Sequence, residues 1–246
     1  NFQVDLNSNS EILPLMGSKE GIMLISLAFL NEGDAVLIPN PGYPTYTSVT
    51  KLVGATPVFY DLIENNNWEP DFEKLEQQDL SKVKMMWVSY PHMPTGATGS
   101  LSLFEKTVAF AKKHQILVIN DNPYSFVLNG NPISILQVNG AKEVALELNS
   151  LSKTYNMAGW RVGMVSGNSK YSFARIKVNA GSHTLISNGC GMSVTAYGYG
   201  NAESYAYNGG ASFKPINASP LPEGGCLNDS ILFDVGLSLP RFSLFW

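Results

Sequence analysis

The chain has 246 residues, of which 44% are hydrophobic and 15% are charged, and its formal net charge is −4. This composition is typical of a globular protein with a sizeable core, and the acidic balance argues against binding to nucleic acid or to an anionic membrane surface. The longest apolar stretch, residues 21–30, has about half the length of a roughly 20-residue membrane span; no secretory signal is evident and the two cysteines lack metal-ligand spacing, so we expect a cytoplasmic protein without a structural metal.

Helix-like segments and short β-branched runs alternate along residues 18–166. Helical spacing of apolar positions predicts helices over residues 19–30, 43–53, 72–78 and 102–114. Apolar runs predict strands over residues 35–38, 58–60, 83–89, 116–120, 144–148 and 162–166. The alternation indicates an α/β fold with a doubly wound, mostly parallel sheet and helices on both faces. In such sheets, ligands bind at the carboxyl ends of the strands, where the loops collect.

The remainder of the chain differs in composition. Residues 167–246 contain nine charged side chains among eighty, well below the roughly 25% that is usual in globular domains, and residues 181–225 are rich in glycine, tyrosine and serine. We therefore predict a large domain over residues 1–167, followed over residues 168–246 by the rest of that domain and a partial or irregular small domain. A loop-rich subdomain and a chain that lacks pieces of a longer protein both fit this composition.

Lys153 lies in the run SLSKTYNMAGWRVG, three residues after Ser150 and eight residues before Arg161. A hydroxyl and a guanidinium around one amine suit a cofactor that carries both a phosphate and an aldehyde. Pyridoxal 5'-phosphate is such a cofactor, and its aldehyde condenses with a lysine to form a Schiff base. The alternative is a solvated surface lysine flanked by serines, so the interpretation depends on the rest of the site.

A second anion-binding feature precedes the first predicted helix. Gly17, Ser18 and Lys19 stand at its N-terminal edge, where free N–H groups and the helix dipole favour an anion by roughly 0.3–1 kcal/mol per charge. Together with Ser150 and Arg161 they would offer several donors to one phosphate, and Arg161 can bind it through two parallel hydrogen bonds. Ser18 acting only as an N-cap is the alternative.

Three further side chains follow predicted strands. Asp121 comes directly after the strand over residues 116–120 and can pair with the pyridine nitrogen, keeping it protonated as carbanion chemistry requires; otherwise it is a turn residue. Tyr124 can donate to the phenolic oxygen of the cofactor from the same loop, or pack at the sheet edge. Tyr43 can stack on the cofactor ring, or occupy a proline-rich turn.

Five segments resemble the class I/II aminotransferases of the pyridoxal phosphate-dependent fold type I, and in particular their LL-diaminopimelate and aspartate aminotransferase-like branch. The segments lie in uninterrupted order within residues 1–166 and read LPLMGSKEGI, LNEGDAVLIPNPGYPTY, YPHMPTGA, INDNPYSF and SLSKTYNMAGWRVG. The resemblance implies the large domain of that fold with an abbreviated C-terminal small domain. It also implies a homodimeric enzyme that moves an amino group between an amino acid and a 2-oxo acid through a Lys153 Schiff base.

The resemblance implies a role for each residue of the site. Lys153 would be the Schiff-base lysine and the base that moves the Cα proton, and Asp121 would be the partner of the pyridine nitrogen. Tyr124 would bind the phenolic oxygen, and Tyr43 would stack on the ring. Arg241, in a short segment near the end of the chain, would bind the substrate carboxylate. The phosphate would be surrounded by Gly17, Ser18, Lys19, Ser150 and Arg161.

Two departures from the family pattern bear on function. Met93 stands where the family has an asparagine that hydrogen-bonds the phenolic oxygen, and a methionine cannot donate. We therefore expect a raised pKa of the Schiff base and an altered pH optimum, unless His92 or a water molecule compensates. The chain also starts well inside the usual family length, and its C-terminal small domain is abbreviated and irregular.

The sequence leaves two other functions open. Lyases and synthases of the same fold, such as C–S lyases and aminocyclopropane-carboxylate synthases, use the same lysine, and residues of the small domain decide between the outcomes. A non-catalytic homologue that acts as a binding module is favoured slightly by Met93 and by the irregular C-terminal region. The intact set of Lys153, Asp121, Tyr124 and Arg161 argues against that second alternative.

Overall fold

The computed structural model describes residues 2–127 and 129–167 with their side chains. After residue 167 it describes the backbone of six short strands. The chain divides into two compact units, Asn1–Phe173 and Ala174–Trp246. Among the described residues, no helix has the length and apolar character needed to cross a bilayer, and no group of three or more His, Cys, Asp or Glu side chains could hold a metal ion.

The first unit contains the predicted alternation of strands and helices. Its strands are β1 (Ile12–Leu15), β2 (Ala35–Asn40), β3 (Thr56–Asp61), β4 (Val83–Val88), β5 (Leu117–Asp121), β6 (Ala145–Ser150) and β7 (Gly163–Ser166). Its α-helices are α1 (Ser18–Phe29), α2 (Pro44–Leu52), α3 (Phe72–Glu76), α4 (Leu101–His114) and α5 (Leu151–Thr154). Short 3₁₀ helices cover Glu64–Asn66, Ile135–Gln137, Ala141–Glu143 and Ala158–Trp160. Each predicted strand and helix overlaps an observed one. Strand β1 and helix α5 were not predicted from the sequence, because segments of four residues show little periodicity.

The seven strands form one sheet in the order β1-β7-β6-β5-β4-β2-β3. Strands β3, β2, β4, β5 and β6 are parallel to one another, whereas β7 is antiparallel to both β6 and β1. The strand order reverses at β2, which lies between β3 and β4. This is the mostly parallel α/β sheet that the sequence predicts, and its loops collect at the carboxyl ends of the central strands.

Two apolar cores cover the opposite faces of this sheet. Met85 and Trp87 of β4 belong to the core that includes residues of α1 and α2, whereas the intervening Met86 belongs to the core that includes residues of α4. The alternation follows from the period of two in a β-strand. Because both faces are covered by helices, β4 and β5 are buried almost throughout, as is usual for parallel strands.

The second unit is described as backbone strands only. Its strands are β8 (Lys177–Val178), β9 (His183–Ile186), β10 (Ser193–Gly200), β11 (Glu203–Ala211), β12 (Ser230–Phe233) and β13 (Leu244–Phe245). They form a four-stranded sheet in the order β11-β10-β13-β8 and a separate pair of β12 with β9, with antiparallel pairing throughout. Arg241, the predicted ligand of the substrate carboxylate, lies outside the described residues.

Candidate functional site

The carboxyl ends of the central strands meet at one side of the sheet, which we call the polar edge. Strand β4 is followed there by Ser89, β5 ends at Asp121, and β6 ends at Ser150. Asp121 pairs with Leu148 in the β5–β6 register, so the ends of these two strands are neighbours. Because β7 is antiparallel to its neighbours, its first residue and the carboxyl end of β1 also lie at this edge.

Lys153 is held at the polar edge by the short helix α5. Ser150 caps this helix, since its Oγ accepts a hydrogen bond of 3.2 Å from the backbone N–H of Ser152. The backbone N–H of Leu151 donates to the carbonyl of Val162 at 3.1 Å, which ties α5 to the segment before β7. The Lys153 side chain is exposed, and no hydrogen-bond or ion-pair partner of its amine is found among the described residues. The amine is therefore accessible to a carbonyl compound bound at this edge.

The N-terminus of α1 reaches the same edge, and two glycines let neighbouring segments approach it closely. Gly17, not Ser18, is its N-cap residue, and no described side chain caps the helix, so the alternative interpretation of Ser18 as an N-cap is wrong. Gly17 has φ +86°, and a Cβ at this position would collide with the guanidinium of Arg161. A Cβ at Gly163 would lie 2.9 Å from the backbone nitrogen of Ser18. The two glycines thus allow Arg161 and β7 to approach the first turn of α1.

The groups around this first turn carry charges of both signs. Arg161 and Lys19 are positive, whereas Glu20 is acidic and its Oε2 accepts a hydrogen bond of 2.6 Å from the backbone N–H of Met16. Arg161 donates from Nη2 to the Met16 carbonyl at 3.4 Å, and the exposed Lys19 lies in the first turn itself. Ser150 pairs with Gly163 in the β6–β7 register, which brings the end of β6 beside the same turn. An uncapped helix N-terminus next to a guanidinium is an arrangement that binds a phosphate.

Asp121 is a buried carboxylate at the polar edge. Its Oδ2 accepts a hydrogen bond of 2.7 Å from the hydroxyl of Tyr46, whereas its Oδ1 is buried and has no partner among the described residues. Burial raises the pKa of Asp121 to about 6, and the hydrogen bond from Tyr46 opposes that rise. A buried carboxylate oxygen without a donor is energetically costly, and a protonated ring nitrogen is a donor that would satisfy it. The predicted cofactor therefore fits this oxygen.

Tyr43 lies between Lys19, in the first turn of α1, and Tyr46, the hydrogen-bond partner of Asp121. It is the N-cap residue of α2, and its half-buried ring meets the ring of Tyr46 edge-on at a centroid distance of 5.6 Å. The Lys19 Nζ lies 5.8 Å from the centroid of the Tyr43 ring. A cofactor that reached from α1 to β5 would pass beside the ring of Tyr43.

Tyr124 and Met93 line a common cavity of about 320 Å³. The cavity lies between the loop after β5 and the loop after β4, which also contributes His92. His92 is buried, its Nδ1 lies 2.8 Å from the Thr95 Oγ1, and burial lowers its pKa. Only Nδ1 of His92 contacts Thr95, whereas its Nε2 is buried and has no hydrogen-bond partner among the described residues, so His92 still has a ring nitrogen that could compensate for the missing asparagine. The thioether of Met93 faces the same space as Tyr124 without supplying the missing donor.

Two residues of the edge escaped the sequence-based predictions. Tyr46 is visible in the sequence only as part of the PGYPTY segment, and its contact with Asp121 joins residues 75 positions apart. Glu147 is a fully buried carboxylate in β6, whose Oε2 accepts from Asn120 Nδ2, Ser134 Oγ and Ile135 N at 2.9–3.1 Å. A single acidic residue within the apolar run ALEL was the available signal for Glu147.

The chain is similar to known proteins in both sequence and structure. The family model described as "Aminotransferase class I and II" matches residues 2–204. An LL-diaminopimelate aminotransferase of Dehalococcoides mccartyi is 47% identical over 171 residues, which cover 69% of this chain and 44% of that protein. The LL-diaminopimelate aminotransferase of Aquifex aeolicus is 45% identical over 185 residues, which cover 74% of this chain and 48% of that protein.

Solved structures match a similar share of the chain. The substrate-bound structure of BacF from Bacillus subtilis has a TM-score of 0.67 and 41% identity, over 69% of this chain and 43% of that one. An aromatic aminotransferase from Pyrococcus horikoshii has a TM-score of 0.63 and 29% identity, over 68% of this chain and 45% of that one. The chain thus spans about half the length of the curated relatives it matches. The family predicted from the sequence is confirmed, and the chain belongs to the class I and II aminotransferases.

Proposed function

We propose that this chain forms the cofactor-binding part of an aminotransferase that moves an amino group between an amino acid and a 2-oxo acid. Pyridoxal phosphate is the cofactor of class I and II aminotransferases, and when bound it supplies the reactive carbonyl and the electron sink of the reaction. The observation that carries the proposal is the buried Asp121, which has one oxygen bound by Tyr46 and the other without a donor. An unexplained buried acceptor at the carboxyl edge of such a sheet is what a cationic ring nitrogen requires.

The phosphate of the cofactor would occupy the N-terminus of α1. The uncapped N–H groups of this helix and the guanidinium of Arg161 lie within one turn of each other. Ser150 and Lys19 complete the set of donors. Two fixed positive features beside one anion orient it as well as bind it, because the guanidinium presents its donors in a planar fork. The phosphate would therefore anchor the cofactor at one end, and Asp121 would hold it at the other.

Lys153 would attach the cofactor and move the proton between the substrate Cα and the cofactor. Its position three residues after the end of β6 places it beside the strand that carries Asp121. Tyr43 would lie against the ring, and Tyr124 would donate to the phenolic oxygen from the cavity that it shares with Met93. A proton transfer of this kind requires an amine within hydrogen-bond reach of both atoms, and an exposed lysine on a short helix has that freedom.

The curated relatives support amino-group transfer over elimination, because the two described above are both named aminotransferases. Their printed names also support an amino acid with a second amino group as the substrate class. Arg241 would bind the α-carboxylate of that substrate, and a homodimer would be the working form. A lyase or a non-catalytic binding module would show a different pattern of products, which the second experiment below distinguishes.

The attachment of the cofactor can be tested with the purified 246-residue chain. The protein is incubated with pyridoxal phosphate, reduced with borohydride and digested, and the modified peptide is identified by mass spectrometry. We expect one major modified lysine, Lys153, and no such product from Lys153→Ala. Lys51→Ala removes an equally exposed lysine from the last turn of α2 and serves as the matched control, with unchanged labelling. Labelling spread evenly over surface lysines would contradict the proposal.

The reaction can be tested by its products. The loaded protein is mixed with single amino acids and a 2-oxo acid, and the new 2-oxo acid and released ammonia are measured separately. Amino-group exchange without ammonia supports the transferase. Ammonia release identifies a lyase, and cofactor binding without either product identifies a non-catalytic module.

A further inference from the structure

We infer that Tyr46 is a positioning residue that binds one oxygen of Asp121 and thereby keeps the shared proton on the pyridine nitrogen of the cofactor. The inference rests on the proposed function, because it concerns the same carboxylate. The established family and the site residues predicted from the sequence leave Tyr46 without a role.

The phenol of Tyr46 is fixed by packing on two sides. Its ring stacks on Trp87 with a centroid distance of 4.8 Å and an angle of 6°, and it meets Tyr43 edge-on. The side chain is 1% exposed, and its hydroxyl donates to Asp121 Oδ2 at 2.7 Å. A ring held between two aromatic side chains cannot move its hydroxyl away from the carboxylate without breaking these contacts. The hydrogen bond is therefore part of the rigid core on which the site is built.

The Tyr46 hydroxyl acts only as a donor toward this carboxylate. Burial, with the neighbouring Asp121 carboxylate as a second cause, raises the pKa of Tyr46 well above its ordinary value, so the phenol keeps its proton at every working pH. A hydrogen bond donated to a carboxylate stabilises the charged form, and here it opposes the rise in the pKa of Asp121 that burial causes. Tyr46 thus lowers the proton affinity of Asp121, which competes with the ring nitrogen for a proton.

This competition decides where a single proton resides. A ring nitrogen and a buried carboxylate in contact share one proton near neutral pH, and the pair titrates as a unit. With Tyr46 in place, the carboxylate is the weaker base, so the proton stays on the nitrogen and the ring keeps its cationic form. Without the hydrogen bond, the proton moves toward the carboxyl group, and the ring becomes a poorer electron sink.

Tyr60 supplies a matched control for a test. It is also a fully buried tyrosine, and its hydroxyl donates to the Trp87 carbonyl at 2.6 Å, but that hydrogen bond does not involve Asp121. Tyr46→Phe and Tyr60→Phe each remove one buried phenol hydrogen bond beside the same tryptophan. A purely structural role for Tyr46 predicts that the two variants behave alike toward the cofactor.

The location of the proton is read by nitrogen NMR of the 246-residue chain loaded with pyridoxal phosphate that carries ¹⁵N in its ring. We expect the wild-type resonance near the value of a protonated pyridine, and a displacement toward the neutral value in Tyr46→Phe but not in Tyr60→Phe. The dissociation constant of the cofactor, from a spectral titration, should rise about three- to tenfold in Tyr46→Phe only, because the lost hydrogen bond acts on the cofactor through Asp121 and not by direct contact.

The outcomes separate this inference from the proposed function. An unchanged resonance and unchanged affinity in folded Tyr46→Phe would overturn the role of Tyr46 and leave the proposed function intact. A wild-type chain that does not bind the cofactor, or that binds it with a neutral ring nitrogen, would overturn both. Should Tyr46→Phe not fold, p-aminophenylalanine at this position preserves the size and supplies a weaker donor; it should give a smaller displacement in the same direction, and an unmoved resonance would again refute the inference.

Discussion

The stability of the cofactor-free Asp121→Asn variant, measured relative to that of the wild type, should be greater at high pH than at low pH. Burial raises the pKa of this carboxyl group from 3.8 to about 6 in the folded protein. The folded state therefore holds a proton that the unfolded chain has already lost, and stability decreases as the pH rises from about 4 to above 6. The shift in the pKa of Asp121 corresponds to about 3 kcal/mol of unfolding free energy. This contribution is present in full below the pKa of the carboxyl group in the unfolded chain, and it is lost above the pKa of the same group in the folded protein.

The asparagine variant removes the titration and keeps the shape. Its carbonyl oxygen can still accept from the Tyr46 hydroxyl, but its amide nitrogen replaces the oxygen that has no partner among the described residues. That unsatisfied donor costs about 1–3 kcal/mol at every pH. The absolute stability difference between the two proteins thus combines two terms of opposite sign, whereas its change with pH reports the carboxylate alone. We expect the difference to move by about 2–3 kcal/mol in favour of the variant between pH 4 and pH 8.

Urea unfolding, followed by tryptophan fluorescence, to which the buried Trp87 contributes, measures this difference at a series of pH values. Asp61→Asn, at an exposed position of β3, provides the same chemical change without the burial. A stability difference for Asp121→Asn that stays constant between pH 4 and pH 8 would refute the reasoning, because it would mean that the carboxyl group titrates alike in the folded and unfolded states.

Three further changes test other parts of the polar edge. Gly17→Ala should lower the unfolding free energy by about 1–3 kcal/mol and weaken phosphate or cofactor binding, because φ is +86° and the new Cβ meets Arg161; an unchanged affinity in a titration would contradict this. Glu147→Ala should cost about 3–5 kcal/mol in urea unfolding, because it leaves three buried donors unsatisfied, and a loss below about 1 kcal/mol would show that water replaces the carboxylate. Met93→Asn should add a donor to the cavity of Tyr124 and shift the pH dependence of the bound cofactor's absorbance to lower pH, whereas Met93→Leu, which adds no donor, should not.

Local patterns in the sequence were enough to predict most of the large unit. The strand Val83–Val88 is buried on both faces, so its apolar run is continuous and visible without any tertiary information. Lys153, Ser150 and Arg161 lie within twelve positions of one another, and a fourteen-residue motif preserves their spacing. Asp121 could be recognised for a similar reason, because a carboxylate directly after a buried strand stands out from the apolar run before it.

Other features depend on which distant segments the fold brings together. The order of the strands places β2 between β3 and β4, and no spacing along the chain encodes that choice. The Tyr46–Asp121 hydrogen bond joins α2 to the end of β5 across 75 positions, and the approach of Arg161 to Gly17 joins the segment before β7 to the start of α1. Periodicity records which face of an element is buried, whereas the partner it is buried against is decided by the packing of the whole sheet. For this protein the sequence alone therefore determined most elements of the first unit and a set of candidate site residues. Only the tertiary structure decided that one oxygen of Asp121 accepts from Tyr46 and that the other has no partner among the described residues.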